Sequence, residues 1–165
     1  MTSNTREPEP FMTLYAVSKE TALIPAIAYS EQAGGYVTLP PVVKCRIDDP
    51  KVLAKELQRR LTSPVIQSEM SFEEAKTGST IQNALNLKSM KDVEKQTVYL
   101  TLAIEDGQFD LQIFGRSSRG TWLDAPYALD VKIPCEEGFE SLANTIVGHL
   151  QGRQDLSANV SSSMA

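Results

Sequence analysis

Three observations assign this chain to the α+β class, with a mostly antiparallel sheet of four to six strands and two or three helices packed on one face. Apolar and polar residues alternate in three successive stretches, marked by Val98, Leu100, Leu102 and Ile104, then Phe109, Leu111 and Ile113, then Tyr127, Leu129, Val131 and Ile133. Asp106-Gly107 separates the first two, and this dipeptide suits the left-handed backbone of a tight hairpin turn. After the third stretch the period changes: Phe139, Leu142, Ala143, Ile146, Val147 and Leu150 recur every three or four residues, as on a helix with one buried face. Polar residues at alternate strand positions mark a sheet with one wet face, which favours antiparallel pairing over a doubly wound sheet.

The earlier elements follow from local chemistry. Phe11–Val17 reads as a first strand, and Ala22–Tyr29 as a second strand or an irregular buried segment around Pro25. Ala33-Gly34-Gly35 reads as a turn and Tyr36–Leu39 as strand, interrupted by Pro40-Pro41, because proline cannot donate to a ladder and favours edges and bulges. Val43, Cys45 and Ile47 then alternate with Lys44 and Arg46. Asp49-Pro50 is a helix start: the carboxylate caps free amides and proline suits the first helical position. Leu53, Leu57 and Leu61 lie on one side of that helix, which should stop near Thr62-Ser63-Pro64. Ser71 and Glu74 fit a capping box for a short helix to Lys76, and a second helical piece is expected over Ile81–Leu87. A final helix is expected from Cys135 to Leu150, with Glu136 and Glu137 favouring the dipole of its first turn.

The chain has 165 residues, enough for one self-supporting domain, expected over 11–152 between loose tails 1–10 and 153–165. Two isolated cysteines, Cys45 and Cys135, do not make a disulfide scaffold and fit free thiols in a reducing compartment. No signal-peptide core or membrane-length apolar run occurs, so a cytoplasmic location is expected.

Charge is unevenly placed. Residues 101–150 hold eight acids (Glu105, Asp106, Asp110, Asp124, Asp130, Glu136, Glu137, Glu140) against three bases (Arg116, Arg119, Lys132), while residues 1–100 balance at twelve of each. An acidic half steers basic partners, although mild acidity also serves solubility alone.

No chemistry-bearing constellation stands out. His149 is the single histidine, which removes metal patterns built on histidine pairs, and its position near a helix C-terminus suits a partly charged imidazole. Gly-x-Ser-x-Gly, phosphate-loop and dinucleotide-loop patterns are absent, and the acid pairs Asp48-Asp49, Glu73-Glu74 and Glu136-Glu137 each have a structural explanation at a helix start. The expectation is therefore no catalytic residue, no cofactor and no metal: a non-enzymatic protein-binding module. Its best contact candidates are Asp110 and Asp130 on the wet strand face, with Arg116, Arg119, Trp122 and Asp124 in the loop before Pro126. Tryptophan and arginine are enriched at binding hot spots, though Trp122 would equally serve by folding back to cap the core. A compact acidic chain without a cofactor has the profile of a bacterial immunity protein that masks a basic nuclease toxin. Two alternatives stand beside it. Lys51, Lys55 and Arg59, with Lys44 and Arg46 upstream, form a basic stripe able to meet nucleic-acid phosphates, but without interleaved aromatic residues for stacking. A secretion chaperone would instead dimerise and present an apolar groove, from residues 22–29 or 36–43. Either a monomer or a homodimer fits these readings.

Overall fold

The structure is a computed structural model and describes residues 8–71, 74, 79–123 and 125–158. Strands β1 (Phe11–Ala16), β2 (Thr21–Ser30) and β3 (Gly35–Arg46) lead into helix α1 (Pro50–Leu61) and a short strand β4 (Ile66–Gln67). Helices α2 (Ser79–Ala84) and α3 (Met90–Gln96) precede β5 (Val98–Glu105), β6 (Gln108–Ile113), the two-residue strands β7 (Gly115–Arg116) and β8 (Trp122–Leu123), and β9 (Leu129–Pro134). Helix α4 (Gly138–Gln151) follows a 3-10 turn at Cys135–Glu137. The main sheet runs β3-β2-β1-β5-β6-β9 with antiparallel neighbours, and β4 adds to β2 in parallel. This is the α+β, mainly antiparallel class that the alternation implies.

The β5–β6 hairpin closes through Asp106 and Gly107, both left-handed at φ 53° and 74°. Two positive φ values match the strand twist, and Glu105 pairs with Gln108 as a two-residue turn requires. Helix α1 begins as its sequence indicates. Asp49 is extended and its carboxylate accepts from the Lys51 amide at 3.0 Å, with Pro50 at the first position. At the far end Thr62 donates to the Gln58 carbonyl, two residues before Pro64. Helix α4 starts three residues later than the pattern suggests. Gly138 takes φ 87°, outside helical space, so Cys135–Glu137 closes as a separate 3-10 turn.

One sheet face carries the main core. Met12 and Leu14 of β1, Leu100 and Leu102 of β5, and Phe109, Leu111 and Ile113 of β6 meet Leu53, Leu57 and Leu61 of α1 and Leu142, Ile146 and Leu150 of α4. Each is at most 2% exposed, and burying such a side chain contributes about 1.5–3 kcal/mol. Pro25 and Pro40-Pro41 are absorbed rather than disruptive. Pro25 pairs with Val42 and Ala26 with Leu39, so Pro40 and Pro41 form a bulge inside one continuous β3.

The opposite face is dry at one end. Tyr15, Val17, Leu23, Ile81 and Val93 are buried there, with Val42, Leu85, Leu87, Met90, Tyr99 and Trp122 packed around them. Helices α2 and α3 supply the cover, in addition to the two longer helices on the first face. The strand pattern left this whole face free for water or a partner, because α3 is too short for a periodic signal. Its one local marker is the Ser89 hydroxyl, which accepts from the Asp92 amide at 3.3 Å. The capping contacts of Ser71 and Glu74 are formed, with the Glu74 amide 3.2 Å from the Ser71 hydroxyl. The expected run to Lys76 lies outside the described residues.

Contacts tie in more chain than the 11–152 core. Tyr36 donates its hydroxyl to the Glu9 carbonyl, and Ile104 its amide to that of Pro10. At the other end Leu156 is 5% exposed, and the Lys19 amide donates to the Ser157 carbonyl at 2.7 Å. Both cysteines are free thiols, and burial pushes the Cys45 thiol up to about 11.

Candidate functional site

The five contact candidates among the described residues fall into two separate places. Arg116 and Trp122 sit on the β7–β8 ribbon beyond the C-terminal end of β6, and the loop between them closes on itself. Ser117 donates its amide to the Thr121 carbonyl and Gly120 to that of Ser117, with Gly120 at φ 87° closing the turn. The half-buried Arg116 guanidinium donates to the carbonyls of Glu94, Thr97 (2.7 Å) and Gly120 (2.8 Å), and to the Asp155 carboxylate at 2.9 Å. Arg153 holds the same carboxylate and also reaches the Phe114 carbonyl. Hydrogen bonds from Arg153, then the one from Arg116, hold the Asp155 carboxyl well below the usual carboxylate range against the opposing effect of burial.

Trp122 donates its indole N–H to the Thr97 carbonyl at 3.2 Å and stacks on Tyr99 at 4.6 Å between ring centroids. Tyr15 lies 5.8 Å from the same indole. Burial pushes the Tyr15 hydroxyl up to about 12 and that of Tyr99 higher still. Arg116 and Trp122 thus act as a strap that joins α3, the loop and the C-terminal segment. Arg119 is exposed at the loop tip. Asp124 lies outside the described residues.

Asp110 and Asp130 stand elsewhere, on one face of the neighbouring strands β6 and β9. In the register Asp110 faces Lys132 and Asp130 faces Gln112. Asp130 is exposed, whereas Asp110 is half-buried with its Oδ1 shielded and unpartnered. Four further acids join this side. The Cys135 amide donates to the Gly107 carbonyl at 2.9 Å, which seats the β5–β6 turn against the entry to α4. Glu105 and Asp106 from the turn, and Glu136 and Glu137 from the entry, are all exposed. Linear spacing does not single out these acids, because their proximity depends on a hairpin turn meeting a helix start. The hairpin dipeptide and the 3-10 turn are the local signals that bring them together.

The basic stripe is partly neutralised. Lys51, Lys55 and Arg59 are exposed on α1, but Arg59 and Arg60 both bind Glu56, at 2.6 and 2.8 Å. Arg46 binds Asp48 at 2.9 Å. His149 also departs from expectation. Its Nε2 lies 3.4 Å from an Arg153 nitrogen, and burial, then the Arg153 charge, lower its pKa. Both effects favour the neutral imidazole, opposite to the charged form that a helix C-terminus favours.

β1 and β2 pair only at Tyr15–Leu23 and Ala16–Ala22. Beyond that they diverge around a cleft of about 280 Å³ lined by Pro25, Ile27, Pro41, Val43 and Ile66 among others. The Arg60 guanidinium donates to the Pro25 carbonyl beside it at 2.9 Å. Among the described residues no His/Cys/Asp/Glu group is arranged to hold a metal ion, and no helix is long and apolar enough to cross a membrane.

No family model and no curated protein matches the chain. Among solved structures it is similar to the Neisseria meningitidis protein NMB0488, a protein of unknown function, at a TM-score of 0.60 and 13% identity. The match covers 92% of this chain and 100% of that one, and at this identity the likeness shows a shared fold over nearly the whole chain and nothing more.

Proposed function

We propose that this chain is a protein-binding module that masks a basic surface on its partner, in the manner of an immunity protein bound to a bacterial toxin. The observation that carries the reading is the exposed acidic end of the sheet, where Glu105, Asp106, Glu136 and Glu137 meet across the Gly107–Cys135 hydrogen bond. Asp110 and Asp130 add two acids on the adjoining wet face, where Lys132 stands opposite Asp110. These groups stand on strands and turns held by the core, so the charge pattern is pre-organised. A rigid patch of predominantly one sign accelerates encounter with a complementary partner and disfavours nucleic acid.

The test is affinity capture from a lysate of the source cells at low and high salt. The baits are the native chain, a variant carrying Glu105→Lys, Asp106→Lys, Glu136→Lys and Glu137→Lys, and a variant carrying Lys51→Glu, Lys55→Glu and Arg59→Glu. A basic protein captured stoichiometrically by the native and α1-variant baits, released by salt and lost from the acidic-end variant, is the expected result. Nucleic acid captured by the native bait and lost only with the α1 substitutions would overturn the reading in favour of the basic stripe.

A further inference from the structure

We propose that β9 is the contact edge of a symmetric homodimer, in which two copies pair antiparallel about Val131 and join their sheets. β9 is the terminal strand of the sheet and has one neighbour, β6. An unpaired strand edge offers a row of free backbone donors and acceptors, and proteins ordinarily shield such an edge or use it. The burial pattern shows what this edge leaves uncovered. On the core face, Phe109, Leu111 and Ile113 of β6 are at most 1% exposed, while their register partners Ile133, Val131 and Leu129 are only partly buried. Cys135 and Phe139 continue this partly buried apolar strip at the start of α4.

The sequence of the strand is complementary to itself. In an antiparallel pair centred on Val131, Leu129 faces Ile133 of the second copy on the core side. On the other face Asp130 meets Lys132 of the second copy, and the two-fold axis repeats that contact. A two-fold interface requires such reciprocity, since each residue must suit the one that its symmetry mate presents. Opposite charges directly across an antiparallel pair stabilise it, and like charges oppose it. Asp130 and Lys132 are both exposed, and neither enters an ion pair among the described residues. Asp130 belongs to both surfaces, but the toxin reading rests on Glu105, Asp106, Glu136 and Glu137, and the test of the dimer contains no partner.

The test is sedimentation of the purified full chain over a wide concentration range. The native chain is expected to show a reversible monomer–dimer equilibrium. Asp130→Lys places lysine opposite lysine twice, and Lys132→Asp places aspartate opposite aspartate twice, so each single variant should dimerise about tenfold more weakly or worse. Mixed together, the two variants present only opposite charges across the axis and should form a heterodimer. A native chain that stays monomeric throughout overturns the proposal. So do single variants that dimerise as well as the native chain, and so does a mixture that fails to recover the dimer.

Discussion

At the scale of single residues, Arg116 and Trp122 show how a hot-spot composition also serves the interior. Arg116 satisfies three backbone carbonyls and one carboxylate, so its removal leaves several partly buried acceptors without a donor. Arg116→Ala should cost about 2–4 kcal/mol in urea unfolding. Arg119→Ala, at an exposed site, should stay within about 0.5 kcal/mol. Equal effects of the two substitutions would contradict the strap. The same cluster sets an acid limb of stability. The folded Asp155 pKa is depressed, so its contribution is complete above the unfolded value of about 3.9 and is lost as pH falls through the lower folded value. His149 acts at higher pH. Its folded pKa is also depressed, so protonation of the unfolded chain below about 6.5 draws stability away first. Melting temperature followed from pH 7 downward should therefore fall in two stages. Asp155→Asn should be the less stable chain at neutral pH and should converge with the native chain in strong acid. His149→Gln should flatten the upper stage alone.

At the scale of elements, the signals that were legible are those in which local chemistry and burial agree. Leu53, Leu57 and Leu61 share a helix face, Asp49 caps it, and Asp106-Gly107 turns the hairpin in the conformation it favours. Replacing Gly107 by alanine puts a Cβ on a residue at φ 74° and should cost about 1 kcal/mol, read from the thermal midpoint. No cost would mean that the turn rearranges freely. The less legible elements are those held by tertiary contact. Helix α3 is seven residues long and has Val93 as its single fully buried residue, too little for a period to emerge. Pro40-Pro41 read as a break between strands, but long-range pairing with β2 carries β3 through it as a bulge.

At the scale of the whole molecule, the two sheet faces have divided their tasks. One is sealed by α1 and α4, while the other is dry near Tyr15, Tyr99 and Trp122 and polar toward β6 and β9. Alternation revealed the polar half, including Asp110 and Asp130. It could not reveal that Arg116 and Trp122 belong to the dry half, since both uses call for the same residue types. Nor could linear order show that Glu105 and Asp106 stand beside Glu136 and Glu137, some thirty residues on in the sequence. That acidic end is the surface on which the functional reading rests. The most direct measurement is growth of cells that express the captured basic protein together with this chain. The account predicts that the native chain and Arg119→Ala restore growth, and that the quadruple lysine substitution at Glu105, Asp106, Glu136 and Glu137, folded by its melting curve, does not. Full rescue by the quadruple variant, or no toxicity from the captured protein, would contradict it.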